Sequence, residues 1–476
     1  MADLFQVTAR LRALQRGQAV PIVSQRQVVI QPDARIITLL AMAGEDTSVH
    51  AAAIGRFGDA PQIGIVADPR RRDDQYGLLR WMLPMFETCY AECRAAGTFP
   101  QLWVSSAGAL GHLDTLADRL RFTDEPDIQR LGELWTYAGE RSPIDGQQAL
   151  ISASGALRMH FATGQQEAED EHLGSLLTWI EPTPGRDIFA AVATAEEQPM
   201  GVKTDPRFDR RWLQPAIEDF HAAQEQSERS FHHARITQML EGVLRPIHAA
   251  TQRAYALLDD PRWRPNPALD ALADQEAREF ERFMAARDEG HHLPYRDKPK
   301  AGAIKIVARE RAASNLDAGT LRHDRAARER GVGAGKVLRA AVLKVIERRI
   351  RPKLFEYTVE LTTAQTGLHL REGDILFALD GPTISLRIDA VQRRGATTWI
   401  RATVDKGKRT VKSIPENAIL DLGPEAPNWN GLGFELQQMS IRLMNPPWTH
   451  GNAMPAAAPA ARPMPADLLV AVEGLT

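Results

Sequence analysis

The chain has 476 residues, 43% hydrophobic and 25% charged, with two cysteines and a formal net charge of −3. That length supports two to four domains, each with its own core, and two thiols alone exclude a disulfide framework or a structural zinc site. No run approaches the ~20 apolar residues of a membrane span, and the opening residues lack a leader's apolar stretch, so a cytoplasmic protein with no membrane partner is expected. The near-neutral total hides a split. Residues 296–353 hold 17 lysines and arginines against 6 acids, a local +11 that leaves −14 for the rest. The pattern is that of a basic module on an acidic body.

In chain order, residues 1–23 read as a short amphipathic helix with an apolar exit. Apolar runs at 36–43, 49–57 and 62–67, divided by Gly44-Glu45-Asp46 and Gly58-Asp59-Ala60-Pro61, predict three strands. A helix over 73–96, a strand at 101–105 and a helix over 110–121 complete an α/β unit. Cys89 and Cys93, four apart in the first helix, are expected as buried small hydrophobes. This order is also how the RNase H-like fold begins. Such nucleases hold two metal ions on carboxylates from the first and fourth strands. The runs here, IITLLAMA and QLWVS, contain none, and Glu45, Asp46 and Asp68 stand at strand ends where acids are common in turns. A catalytically silent domain is the expectation.

Residues 125–181 read as helical. Ser142-Pro143 opens a helix over 146–161, and Thr163 with Gln166 has the form of a capping box opening another over 164–180. On that helix Glu167, Asp170 and Glu171 would share a face, with His172 beside them and His160 on the preceding helix. One reading is a carboxylate–histidine metal or acid–base site, as a metal-dependent nuclease would use. The plainer one is a solvated face of acids at the positive end of a helix dipole. No catalytic residue, metal or cofactor is assigned. A strand at 187–194 and a polar break at 196–206 lead to helices over 212–224, 230–258 and 267–287. Their histidines, His221, His232, His233 and His248, lack the HExxH spacing of a zinc site.

The basic segment comes next. Residues 330–337, RGVGAGKV, look like a phosphate loop but lack its first glycine and its closing serine or threonine. A basic amphipathic helix is predicted over 336–351, with Leu338, Ala341, Val342 and Val345 in one stripe and Lys336, Lys344 and Arg351 away from it. Five strands are predicted after Pro352, at 355–362, 374–379, 384–391, 397–404 and 410–414, joined by hairpin turns into a small barrel. Residues 387–412 carry eight basic residues and two acids. Alternation along 397–404 puts Trp399 and Arg401 on one face and Ile400, Ala402 and Val404 on the other. With Arg387, Arg393, Arg394, Lys406, Lys408, Arg409 and Lys412, they form a surface suited to a nucleic-acid backbone, DNA or RNA, with a base stacked on the indole. The competing reading is a protein–protein scaffold whose basic face meets an acidic partner.

A basic helix feeding a small barrel over residues 336–420 resembles the accessory stalk and barrel of superfamily-one helicases of the nonsense-mediated-decay type. In that family the barrel contacts the nucleic-acid strand and an ATP-binding loop follows. No such loop follows here, so no ATPase residues carry over, and the resemblance implies a separately encoded helicase or ATPase partner. The expected architecture is multidomain α+β. It comprises an α/β domain with a helical extension (1–195), a helical region (196–294), a basic linker (295–335), a helix plus small β-barrel (336–422), and a short helix with a Pro/Ala-rich tail (423–476). The expected function is that of a nucleic-acid-binding adaptor.

Overall fold

Short aliphatic runs, buried on both faces at the centre and half-exposed at one margin, build a five-stranded sheet in the first part of the chain. Its strands are β1 (Arg35–Leu40), β2 (Ala51–Arg56), β3 (Gln62–Ile65), β4 (Leu102–Val104) and β5 (Leu150–Ser152), in the order β3-β2-β1-β4-β5. Only β2 runs against the others. The computed structural model describes residues 4–45, 47–144, 146, 148–293, 297–351, 354–381 and 383–424. Up to Leu293 and from Arg309 they belong to one unit, and 297–308 to a second. Asp46 and the expected tail from 425 onward lie outside the described residues.

Helices cover both faces of the sheet. Ile37, Leu39, Ile54 and Val104 pack on one side against α2 (Arg72–Ala95), α3 (Ala107–Leu120) and α4 (Pro126–Arg141), around Phe86, Tyr90 and Trp135. On the other side Leu40, Ala51 and Ala53 meet Ile236, Leu240 and Leu244 of the long helix α6 (Gln226–Asp259), and α1 (Leu4–Arg16) closes the layer. Here α5 is Leu173–Ile180 and α7 is Ala268–Asp288. Cys89 and Cys93 are buried, free thiols in α2.

Several local expectations are overturned. Residues 150–152 form β5, paired in parallel with Trp103, within the stretch read as a helix over 146–161; the remainder is only a short helix, Ala153–Arg158. The strand expected at 187–194 is the helix Ile188–Glu196, started by the Asp187 carboxylate accepting from Ala190 N at 2.9 Å. The helix expected over 164–180 begins only at Leu173. The Thr163 hydroxyl donates to Asp170 at 2.6 Å, and His172 caps α5 by accepting at Nδ1 from Ser175 N at 3.2 Å. In place of a basic linker stand two helices, α8 (Pro299–His323) and α9 (Arg325–Gly333). Their charge masked an apolar seam at Ala312, Leu316 and Leu321, all buried.

The second β assembly is a closed six-stranded barrel: β6 (Leu338–Arg351), β7 (Leu354–Thr363), β8 (Ile375–Ala378), β9 (Ser385–Arg394), β10 (Thr397–Lys406) and β11 (Ile419–Gly423). It therefore has one strand more than expected. The residues read as a basic helix are strand β6, pairing with β7 on one side and β11 on the other. The run LRAAVLKVIERRIR carries both helical and alternating periodicities. Its valines and isoleucines, and two neighbours in need of a partner, decide for the strand. The expected strand at 410–414 is a 3-10 turn, Val411–Ser413, and closure falls to β11. Leu338, Val342, Val359, Leu386, Ile400 and Val404 fill the barrel interior.

Candidate nucleic-acid interface

Strand β10 carries the site. Ile400, Ala402 and Val404 are buried inside the barrel, and Trp399 and Arg401 lie on its outer wall. Register places Trp399 between Thr362 of β7 and Gln392 of β9, so its ring lies on three paired strands rather than at a mobile tip. The half-buried indole has two cationic neighbours, the guanidinium of Arg394 4.6 Å from its ring and that of Arg401 5.2 Å from it. Arg401 also bonds Glu360 on β7 at 3.1 Å, which fixes its direction.

The other basic residues separate along β10. At the β9–β10 tip stand Arg393 and Arg394, both exposed. At the opposite end, roughly 30 Å along a ten-residue strand, are Arg387, Lys406, Lys408 and Arg409, with Arg351 at the end of β6. Lys412 stands on the 3-10 turn. Its ammonium lies 5.1 Å from the Tyr357 ring and 5.5 Å from Phe355, and 3.2 Å from Glu347. The Tyr357 hydroxyl and the Glu347 carboxylate hold it above its usual range. Lys344 is exposed on β6 opposite Glu360. Lys336 precedes the barrel, 3.8 Å from Asp317 of α8.

The surface also includes Arg348 and Arg349, both exposed on β6, and the rings beneath the lysines, Phe355, Tyr357, and Phe377 5.0 Å from Lys406, none of which the charge pattern of the sequence singles out. With 336–351 read as a helix, those arginines had no strand neighbours. Alternation through RRIR and LFEY was the available signal.

The acidic cluster is tied into ion pairs. Arg158 bridges Glu167 and Glu171, and the buried Asp170 accepts from Thr163 and Gln165 with Arg10 3.6 Å away. His160 faces elsewhere. Its Nε2 accepts from Gln27 N at 2.9 Å, which leaves the proton on Nδ1 for the Ala156 carbonyl at 2.7 Å, and burial lowers its pKa to about 4. Among the described residues no group of three His, Cys, Asp or Glu is arranged to hold a metal.

In a sheet of this order, ligands bind beyond the carboxyl ends of the strands where the order reverses, here between β1 and β4. That crevice is filled by the protein's own backbone. Ala41 N donates to Val202 O at 2.8 Å, Thr204 N to Ala41 O at 3.0 Å, and the Ser105 hydroxyl to Met200 O at 2.9 Å. No helix among the described residues is long and apolar enough to cross a membrane. Comparison with family models, with curated proteins and with solved structures finds no match for this chain.

Proposed function

We propose that this protein is a nucleic-acid-binding adaptor whose barrel receives a DNA or RNA strand along the outer wall of β10. The observation that carries the reading is Trp399, held on the wall beside two guanidinium groups, with further cations at both ends of the same strand. A half-exposed indole offers a stacking surface that any base fits, and flanking arginines and lysines neutralise phosphates without reading sequence.

The body fits an RNase H-like domain that has lost its chemistry. The sheet order with only β2 reversed supports that assignment. Strands β1 and β4 carry no carboxylate, and residues 200–204 occupy the crevice where metals would be held. The stalk-and-barrel resemblance supports a separately encoded superfamily-one helicase as partner. Helices α8 and α9, rather than a helical 336–351, would then be the stalk.

The test is fluorescence anisotropy with labelled single- and double-stranded DNA and RNA at 50 and 200 mM salt. Six to ten phosphate contacts lose about 10³ to 10⁵ in affinity across that interval. Charge reversal at Lys406, Lys408 and Arg409 together should weaken binding while leaving the melting temperature in place. No binding at low salt refutes the adaptor reading.

A further inference from the structure

The sheet of the body has one covered margin and one open margin. β5 is mostly buried, whereas β3 is half-exposed and no described strand pairs with its outer side. The ladder determines which groups face out. Arg35 N donates to Gln101 O at 2.8 Å and Val66 N to His50 O at 3.1 Å. Alternation from both anchors turns Gln62, Gly64 and Val66 toward β2, so the N–H and C=O of Ile63 and Ile65 point away from the sheet. An unpaired row of this kind is a template for another strand.

The margin lies at the bottom of a groove. Asp73, Gly77 and Trp81, successive fourth residues of α2, line one wall; His233, Thr237 and Glu241, spaced alike on α6, line the other. The groove encloses about 640 Å³. Gly77 creates the room, since a Cβ there would meet nothing within 4 Å. Gly64 brings the floor against Trp81, whose ring lies 2.6 Å from where its Cβ would stand.

We propose that this groove docks an extended segment of a partner protein, which adds a strand of about four residues to β3 and carries lysine or arginine. Edge-to-edge pairing with the β3 of a second copy does not fit, because that β3 lies between the same two walls and cannot reach. The lining favours a cationic segment, because its carboxylate-bearing residues are Asp73, Asp74 and Glu241 and it holds no lysine or arginine. Their cationic neighbours, Arg71 beside Asp74 at 3.8 Å and Arg245 on Glu241 at 2.7 Å, do not line the groove.

The experiment uses the full chain and a short fluorescein-labelled peptide of alternating lysine and valine. Controls are its glutamate–valine counterpart and a version N-methylated at alternate amides. The lysine peptide should bind and slow amide exchange at Ile63 and Ile65. Gly77→Leu fills the groove while improving helix propensity. It should weaken binding about tenfold or more with an unchanged or higher melting temperature, as should the N-methylated peptide, whose edge donors are gone. Thr237→Lys on the opposite wall gives the same result if Gly77→Leu misfolds. The proposal is overturned by absent binding, or by equal binding of the glutamate or N-methylated peptide. Equal binding by both groove variants also refutes it. So does light scattering that shows a dimer which Gly77→Leu converts to a monomer, since a second copy would then hold the edge.

Discussion

The backbone amide of Ser24 donates to the carboxylate of Asp324 at 2.7 Å, joining the body to the base of the barrel across 300 residues. The same carboxylate caps α9 by accepting from Ala326 N at 2.8 Å and Ala327 N at 3.1 Å. Nearby the Asn266 amide donates to the Thr320 hydroxyl at 2.7 Å, and that hydroxyl lies 2.8 Å from the Gln27 side chain. Arg328 grips the Leu321 and Arg322 carbonyls and pairs with Asp380 of the barrel. The barrel is thus bonded to the body rather than tethered to it.

Asp324→Ala should therefore destabilise the protein more than an ordinary cap. Losing a cap costs about 1 kcal/mol, and leaving the Ser24 amide without a partner adds about 1–3 kcal/mol. Asp324→Asn keeps one acceptor oxygen, enough for the cap or for Ser24 but not for both, so its stability should fall between that of Asp324→Ala and that of the parent. Urea denaturation of the two variants checks the order.

Trp399→Ala should weaken single-stranded nucleic-acid binding by about 1–3 kcal/mol, the usual worth of one stacked base. The barrel core of Ile400, Ala402 and Val404 lies on the opposite face, so thermal stability should change little. Anisotropy and a melting curve read the two effects separately.

Gly319→Ala separates packing from propensity. Propensity alone predicts a gain of roughly 1 kcal/mol for alanine in a helix. The added Cβ would stand 2.4 Å from the Ala268 Cβ, where α8 lies against the start of α7. Overpacking costs typically about 1–3 kcal/mol, so a net loss of stability is expected. A rise in the urea midpoint would show that α8 gives way.

Stability should fall as the pH drops from 6.5 toward 4. His50, His160 and His248 are buried, and burial lowers each from its usual 6.5 to about 4. The unfolded chain takes up these protons near pH 6.5 and the folded chain resists until about pH 4, so acidification through that window favours unfolding. Above pH 6.5 the contribution is fully present. Each histidine steepens the descent by up to roughly 1.4 kcal/mol per pH unit. His248→Gln should make it shallower by one such step, as melting curves at half-unit intervals will show.

Long, strongly patterned segments are legible in the sequence. The three opening strands follow from apolar runs divided by turn residues, and the helix carrying Cys89 and Cys93, the long helix through His248 and the alternation around Trp399 follow from residue spacing, because burying one face demands it. The α+β class and a small basic barrel near the C-terminal end follow in the same way.

Segments whose pattern admits two periods were decided elsewhere. Residues 338–351 became a strand because β7 and β11 both required a neighbour, and β5 formed because β4 did. The acids at 167–171 did not gather on a helix face, since Arg158, Arg10 and Thr163 reach them from other parts of the chain. The residues of this protein determined by themselves which stretches must hide a face and where positive charge accumulates. Which strands meet, how the carboxyl edge of the sheet is filled, and how Asp324 locks the barrel to Ser24 depended on tertiary structure, because hydrogen bonds across hundreds of residues leave no local periodicity.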